Sequence, residues 1–419
     1  MEKVRGQAPG FSFNSTTLAR CGLSLGKHAT DAVLRLSHAL LFLVLIGPAV
    51  SVYVPLAGTV RATVNVSLYE LAMVPITVIA LAALPGSKVP PIRLTVFLVP
   101  ALLIALHSLY AVVAFPNLAL GDLLKETVKY IGFFLFTFAL ALYLRLSIER
   151  PAFRRILTLA FVTVLVLMVI DWVRYAGLGS GVSGGSLPPH AALVLLYLYV
   201  ATGDGPRRDA PETWVLPIAA VFVIALWGAK LFIGLALGVS LWGLLARGLT
   251  QDAEGRRKWL VVLFGALLLS AVGLVVWWEL AAPYGRTLSR SISERLDLWT
   301  LAWELFQSHL PWGIGLGQYA AKAVNAAGMI DYYPHNTLLS ALTELGLLGF
   351  VFLGFLLAAV VVSIGVGPHP SVWIALLIAL GPMLLHDVLS FRSFQVLLAV
   401  GLAGLLHNDS TLSDGIRGR

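Results

Sequence analysis

Apolar runs of about 20 residues, separated by short polar breaks, recur along nearly the whole chain. A run of this length is what an α-helix needs to cross the hydrocarbon core of a bilayer. The chain is 58% hydrophobic and only 12% charged, and a soluble domain of 419 residues would need far more charged surface. The pattern therefore predicts an all-α polytopic membrane protein with about twelve transmembrane helices.

The runs and the stretches between them also predict how the chain is organised. Residues 1–34 form an N-terminal tail, 35–281 carry nine spans, 282–335 form one long loop, 336–407 carry the last three spans, and 408–419 form a second tail. Two of the runs could instead be one interrupted helix pair, 213–228 and 230–247. The predicted spans are 35–56, 66–85, 93–115, 126–146, 155–174, 187–203, 213–228, 230–247, 259–281, 336–363, 371–388 and 391–407.

Lysine and arginine are concentrated in alternate loops, which predicts the orientation of the chain in the membrane. The enriched side holds both termini, so we expect both to be cytoplasmic and the long loop to be periplasmic. The net charge of +8 then reflects topology, and it gives no support for binding nucleic acid. Cys21, the single cysteine, excludes a disulfide within the chain. The basic residues on the enriched side are Lys3, Arg5, Arg20, Lys27, Arg35, Lys88, Arg93, Arg145, Arg150, Arg154, Arg155, Arg207, Arg208, Arg247, Arg256, Arg257, Lys258, Arg417 and Arg419.

The long loop carries a predicted amphipathic helix over 286–310, which Pro311 ends. Its apolar stripe favours either a helix lying on the membrane surface or a helix packed on the membrane domain, and both can hold. A Gly-rich turn, PWGIGLGQY, follows from Pro311 to Tyr319. The stripe consists of Leu288, Ile292, Leu296, Trp299, Trp303, Phe306 and Leu310.

Three arginines of the predicted loop helix are candidate ligands for a phosphate. Arg286 and Arg290 are four residues apart and share a helical face, so together they could clamp a pyrophosphate. They could equally be solvated or bind lipid headgroups. Arg295 points elsewhere on the helix and could pair with Asp297 or Glu294.

The start of the span at 336–363 gathers a second set of candidates. His335 lies between Pro334 and Asn336, and Asn336 is a plausible helix cap. A helix N-terminus disfavours the imidazolium, so His335 could act as a neutral general base or could merely cap or pack. Glu344, which would lie about 13 Å deeper in one continuous helix, is either functional or a structural hydrogen-bonding group.

Other polar residues gather near the predicted periplasmic surface. His386, Asp387 and Arg392 form one cluster at a late turn, and Lys230 lies alone at the turn between two spans. No Walker loop, dinucleotide fingerprint or metal-ligand spacing is present in the sequence, so we expect neither a nucleotide nor a metal cofactor. The remaining candidates are Glu70, Lys125, Glu126 and Lys129.

At His335 the sequence resembles a known family. The stretch PHNTLLSALTELGLLG, from Pro334 to Gly349, is similar to the signature of the O-antigen ligase and polymerase superfamily. The stretch RLDLWTLAWELFQSHLPWGIGLGQY, from Arg295 to Tyr319, fits the same family, in which an Arg–Trp helix precedes a Pro and a Gly-Gly turn. The resemblance covers roughly 213–360, and before it only the hydropathy agrees.

This resemblance implies a GT-C-like, metal-independent, inverting glycosyltransferase of the bacterial inner membrane. Such an O-antigen ligase moves a polysaccharide from undecaprenyl pyrophosphate to lipid A–core at the periplasmic face. The family's loop histidine maps to His335, and its loop arginine maps best to Arg286, with Arg290 as the alternative. A second family arginine is replaced here by Lys230 in the hairpin GAK. Asn336, Glu344, Arg295 and Lys129 are secondary candidates.

Three other functions remain open at this point. An O-antigen polymerase and a protein O-oligosaccharyltransferase share the same signature. A transporter of lipid-linked glycans is the alternative from another class, and it would need polar residues at mid-membrane depth. The polar candidates gather instead at one edge of the predicted membrane domain, which favours an enzyme.

Overall fold

The fold was analysed in a computed structural model of the chain. It describes residues 27–55, 63–87, 89–115, 118–177, 187–202, 215–227, 230–248, 288–319, 322, 334–365, 370–386, 389 and 391–406.

The described chain is mostly helical. Its strands are β1 (Ser51–Pro55) and β2 (Thr63–Ser67), and short 3-10 turns lie at Gly47–Ala49 and Leu84–Gly86. The described α-helices are α1 (Lys27–Ile46), α2 (Leu68–Ala83), α3 (Pro91–Ala114), α4 (Leu120–Ser147), α5 (Arg150–Gly177), α6 (Leu187–Ala201), α7 (Val215–Leu226), α8 (Lys230–Gly248), α9 (Leu288–Ser308), α10 (Thr337–Leu345), α11 (Leu348–Ile364), α12 (Pro370–Leu385) and α13 (Arg392–Leu402).

Within the described residues, four helices are long and apolar enough to cross a membrane, and seven shorter apolar helices of 10–17 residues accompany them. The prediction of a helical membrane protein is therefore confirmed, whereas the number of about twelve spans stays a prediction. The predicted span at 259–281 lies outside the described residues. The four long segments are Ala32–Ala49, Pro91–Ala114, Leu120–Ser147 and Arg150–Arg174.

The first predicted span, 35–56, is wrong at its end. Helix α1 stops at Ile46, and Pro48 lies in the 3-10 turn that follows. Strands β1 and β2 then pair antiparallel, with Ser51 opposite Ser67. Alternating valines in SVYVP and TVNVS favour extended backbone, because β-branched side chains pack well on a pleated sheet. The fold is thus not purely helical.

The predicted continuous span over 336–363 is also wrong. Helix α10 ends at Leu345, and Gly346 adopts a φ of 61° before α11 begins at Leu348. A left-handed residue cannot continue a right-handed helix, so the chain turns there. A Cβ on Gly346 would lie 2.1 Å from the carbonyl oxygen of Pro311, so the Gly-rich turn occupies the space that a side chain would need. Both conditions require glycine.

Helix α4 forms the centre of the membrane domain. It packs against α2, α3 and α13, and most of its aromatic side chains are buried. The ring of Phe134 meets Phe352 of α11 edge to face with centroids 5.7 Å apart, and Phe133 lies 5.6 Å from Phe394 of α13. The first turns of α6, α8 and α13 and the last turn of α12 meet at one end of the domain.

Helix α9 has nearly the bounds predicted for the loop helix. The predicted stripe, however, does not form one packed face. Leu298, Ala302 and Phe306 are buried, whereas Leu296 and Trp303 of the predicted stripe are exposed. Packing on the membrane domain therefore uses a face rotated from the one predicted.

Candidate functional site around His335

His335 has an unusual backbone. Its φ of 48° makes it the one non-glycine residue with positive φ among the residues that the structure describes. A non-glycine residue in this region costs about 1–3 kcal/mol and persists only where its surroundings hold it. The side chain is half-buried. Strain of this kind often accompanies functional positions.

Hydrogen bonds hold the chain on the N-terminal side of His335. The indole Nε1 of Trp299 donates to the carbonyl oxygen of Pro334 at 2.6 Å. Trp299 belongs to α9, so the loop helix is bonded directly to the backbone that precedes His335. Tyr319, after the Gly-rich turn, donates to the carbonyl oxygen of Leu298 at 2.9 Å and holds the same part of α9.

The chain after His335 is held by its own helix and by α12. The side-chain oxygen of Asn336 accepts from the backbone N–H groups of Leu338 and Leu339 at 3.0 and 3.1 Å, so the predicted cap is confirmed. Its side-chain nitrogen donates to the carbonyl oxygen of Leu384 at 3.2 Å. Thr337 donates to the carbonyl oxygen of His386 at 2.9 Å. These contacts stabilise the strained conformation.

A histidine and phenylalanine cluster lies beside His335. The ring of His386 meets that of His335 edge to face, with centroids 6.4 Å apart. His386 stacks on Phe232 of α8 at 5.5 Å, and His190 of α6 stacks on Phe391 at 4.5 Å. Phe232 and Phe391 also contact each other at 6.2 Å. Helices far apart in sequence therefore converge on one site.

His190 is the innermost member of this cluster and is fully buried. Its Nδ1 lies 2.7 Å from the hydroxyl oxygen of Ser393, in the first turn of α13. Its Nε2 has no hydrogen-bond partner among the residues that the structure describes. Sequence analysis missed His190, Phe232 and Phe391. The one available signal was that His190 follows two prolines at the start of an apolar run, much as His335 follows Pro334.

Arg392 is placed at this end of the domain by an ion pair. Its Nε lies 2.5 Å from the carboxylate of Glu70 in the first turn of α2. Glu70 also accepts from the backbone N–H of Ser67 at 2.8 Å, as the second half of a capping box. Tyr69 donates to the side-chain oxygen of Gln395 at 2.8 Å. The predicted partner in this cluster, Asp387, lies outside the described residues.

The Gly-rich turn closes the far end of α10. The backbone N–H groups of Ile314 and Gly315 donate to the carbonyl oxygens of Thr343 and Glu344, both at 3.0 Å. These are carbonyls of the last turn of α10, which have no partner inside the helix. A Cβ on Gly313 would lie 2.6 Å from the Glu344 carbonyl oxygen, and Gly313 has a φ of 74°. Glycine is therefore required for this close approach.

The same turn also packs on helices α3 and α4. The carbonyl oxygen of Trp312 lies 3.1 Å from Nε2 of His107, which must then be the donor. The side chain of Gln318 accepts from the Ala119 N–H at 3.0 Å and donates to its carbonyl oxygen at 3.3 Å. The turn thus connects α10 to the start of the central helix.

Lys129, a secondary candidate, lies in a network of charges at the start of α4. It pairs with Glu126, while Lys125 lies 3.7 Å from both Asp122 and Glu126. Asp122 and Glu126 are buried, and both lysines are largely covered. Because buried charges need partners, a structural role explains this network well.

Glu344 is buried within protein in the last turn of α10, one residue before the helix ends. The sequence placed Glu344 part-way along one continuous membrane span over 336–363. In the structure Glu344 instead lies near the end of the short helix α10. The structure shows Glu344 in contact with other groups.

The structure describes the side chains of only some of the cationic candidates. Arg286 lies outside the described residues, as do the side chains of Arg290 and Lys230. Arg295 is described and half-buried. It precedes Trp299 by one helical turn and so shares the side of α9 that contacts Pro334. Among the described residues, no three His, Cys, Asp or Glu side chains gather as a metal-binding group.

These features define a helical membrane protein with a strained histidine at one end of its membrane domain. Residues 189–354 match a family model described as O-Antigen ligase. The matched stretch contains His190, the arginines of α9, the Gly-rich turn and His335, so these residues lie where the chain is similar to that family. The resemblance found in the sequence is thereby confirmed. No match to a curated protein was found.

Proposed function

We propose that the protein is an O-antigen ligase that acts as a metal-independent, inverting glycosyltransferase. It transfers O-antigen polysaccharide from undecaprenyl pyrophosphate to a sugar hydroxyl of lipid A–core at the periplasmic face of the inner membrane. The observation that carries this proposal is the strained, half-buried His335, which lies at the start of α10 inside the stretch that matches the family.

His335 is the proposed general base. As the acceptor hydroxyl oxygen attacks the anomeric carbon of the donor, His335 takes the hydroxyl proton. A new glycosidic bond forms while the bond from the anomeric carbon to the pyrophosphate oxygen breaks. Undecaprenyl pyrophosphate leaves with the bonding electrons, and attack from the opposite face inverts the configuration. The donor carries its own leaving group, so the reaction needs no nucleotide.

Cations stabilise the charge that develops on the pyrophosphate. Arg286, Arg290 and Lys230 are the proposed ligands by resemblance. Arg295 joins them on the structural ground that it shares the side of α9 that is bonded to Pro334. Each guanidinium group can donate two parallel hydrogen bonds to phosphate oxygens. The ammonium group of a lysine is a point charge and cannot reproduce that geometry.

The proposal is tested by incubating the purified protein with lipid-linked polysaccharide and lipid A–core, with a chelator and without nucleotide. We expect polysaccharide to be joined to lipid A–core under these conditions. Loss of transfer on adding the chelator, with recovery on adding a divalent ion, would contradict the mechanism. Elongation of the lipid-linked polysaccharide instead would identify a polymerase, and movement of intact donor across vesicles without any new bond would identify a transporter.

A further inference from the structure

Helix α9 presents three different sides, two of which are apolar. One side is buried against α10 and the Gly-rich turn and carries Leu298, Ala302 and Phe306. Beside it, Leu296 and Trp303 are 52% and 46% exposed. These two residues are seven positions apart, so they lie within about 20° of each other around the helix axis. The third side is exposed and polar and carries Asp297, Glu304 and Ser308, which lie about 80–120° around the helix axis from Leu296.

The exposed apolar side continues beyond the end of the helix. Leu310 and Trp312 are 48% and 54% exposed. We call Leu296, Trp303, Leu310 and Trp312 the apolar band. A helix that only packed on the protein would need one apolar side, so the second apolar side requires another apolar or interfacial environment.

The apolar band is continuous with the exposed apolar surface of a candidate membrane span. The rings of Trp312 and Tyr110 lie 5.0 Å apart, and Tyr110 is near the end of α3. Helix α3 is one of the four segments long and apolar enough to cross a membrane. An exposed stripe runs along it at helical spacing and consists of Leu98, Leu102, Leu106, Leu109 and Val113.

The other flank of the band meets a second exposed apolar surface. Trp303 contacts Phe306 at 5.3 Å, and Phe306 contacts Phe350 of α11 at 6.2 Å. Phe350 and Leu347 are themselves about half exposed. The band thus joins the exposed faces of α3 and α11, both of which are apolar along their length.

We propose that α9 lies along the membrane surface on the His335 side, with the apolar band inserted among the lipids of the adjacent leaflet. Trp303, Trp312 and Tyr110 then occupy the headgroup boundary, where amphipathic aromatic rings are favoured. Asp297, Glu304 and Ser308 face water. This arrangement is that of an interfacial amphipathic helix with one further side docked on its own protein.

The lipid contact has a structural consequence for His335. Trp299 of α9 donates to the carbonyl oxygen of Pro334, so α9 and the backbone before His335 move together. The depth of the apolar band therefore sets the height of His335 relative to the bilayer. The proposal itself does not depend on the reaction that His335 carries out.

Cysteine labelling tests this placement directly, because Cys21 is the one native cysteine and Cys21→Ser leaves a clean background. Spin labels are introduced by Leu296→Cys, Trp303→Cys and Leu310→Cys. Asp297→Cys, Glu304→Cys and Ser308→Cys are matched controls on the exposed polar side of the same helix. The protein is placed in nanodiscs of phosphatidylethanolamine and phosphatidylglycerol, and collision of each label with O₂ and with a water-soluble nickel chelate is measured.

We expect O₂ collisions to exceed nickel collisions at the three apolar positions and the ratio to invert at the three polar positions. Nickel-dominated collision at all six positions would place α9 in water and overturn the proposal. A low collision rate with both reagents at the apolar positions would show that protein covers the apolar band. That result would also overturn the proposal. Three positions on each side are used so that the comparison survives loss of a variant that fails to fold.

Discussion

The imidazole of His335 can be tested separately from its strained backbone. Asparagine tolerates the left-handed region, so His335→Asn keeps the backbone and removes the base. We expect the variant to keep the melting temperature of the parent protein and to lose transfer by about 100-fold or more. Transfer is measured on purified protein with lipid-linked donor, and donor binding is measured separately. Normal transfer at saturating donor together with weak donor binding would assign His335 to binding.

The pH dependence distinguishes the same two roles. A base must be neutral to accept a proton, so the transfer rate falls as the pH is lowered while donor binding is retained. A cationic ligand must be protonated, so donor affinity would fall as the pH is raised. Measuring the transfer rate and the donor affinity across the same series of pH values shows which of the two follows pH.

Arg286 and the two arginines of α9, Arg290 and Arg295, are best compared as a set. Arg286→Ala should abolish transfer in a protein that is still folded and inserted, and Arg286→Lys should restore it only partly, because a lysine lacks the paired geometry. From their spacing along the predicted helix alone, Arg295 is expected to contribute less to donor binding than Arg286 and Arg290. Its half-buried position on the side of α9 that carries Trp299 leads us to expect that Arg295→Ala also loses activity. Full activity in Arg286→Ala, Arg290→Ala and Arg295→Ala would leave the pyrophosphate clamp without support.

The contact between α9 and α10 gives a prediction about a positioning residue. Trp299→Phe removes the hydrogen bond to Pro334 but keeps an aromatic ring. We expect kcat to fall by about 10-fold, which corresponds to the loss of about one hydrogen bond, with little change in the donor KM. Trp303→Phe is the matched control, because Trp303 is exposed on the same helix. An equal fall in both variants would indicate that α9 is generally destabilised.

The break between α10 and α11 predicts a contrast between two glycines. Gly346→Ala places a Cβ against Pro311 in a left-handed residue, so we expect a loss of more than about 1 kcal/mol of stability and a lower melting temperature. Gly354→Ala lies within α11 with nothing within 4 Å of the added Cβ, and alanine favours a helix. That variant should melt at or above the parent temperature. Similar melting of the two variants would show that the turn does not need glycine.

The orientation of the whole molecule is tested with reporters. A reporter inserted within 318–330 should be accessible from the periplasm, and one fused after Arg256 should be accessible from the cytoplasm, because lysine and arginine mark the cytoplasmic side. Accessibility is measured in intact cells and in inverted vesicles. The opposite result would place His335 on the side away from the proposed donor and acceptor, and the proposed function would then be wrong.

Features that depend on neighbouring residues could be predicted from the sequence. The apolar runs predicted helices, Asn336 was recognised as a cap, and Pro311 marked the end of α9. His335 was recognised by its resemblance to a family that the match over residues 189–354 confirms. Each of these signals is a composition, a cap or a motif within a few turns of one helix, so no long-range contact was needed to find it.

The assembly of the site depended on contacts between distant segments. His190, Phe232, His386 and Phe391 come from four parts of the chain and lie together only because α6, α8, α12 and α13 begin or end at the same place. His386 and Phe391 lie beyond the stretch, residues 189–354, that matches the family. Nothing in the local sequence of Phe232 or Phe391 distinguishes it from any other apolar residue in a membrane helix.

The sequence by itself determined that the chain is a helical membrane protein and that His335 is a candidate functional residue, whereas the strain at His335 came from the structure. Only the tertiary structure decided that Leu298 and Ala302 of α9 are buried while Leu296 and Trp303 are exposed, and that α10 stops at Gly346. The physical reason is that lipid tails are as apolar as a protein core. A helix that contacts both carries apolar residues on both sides, so its hydrophobic pattern cannot show which side meets protein and which meets lipid.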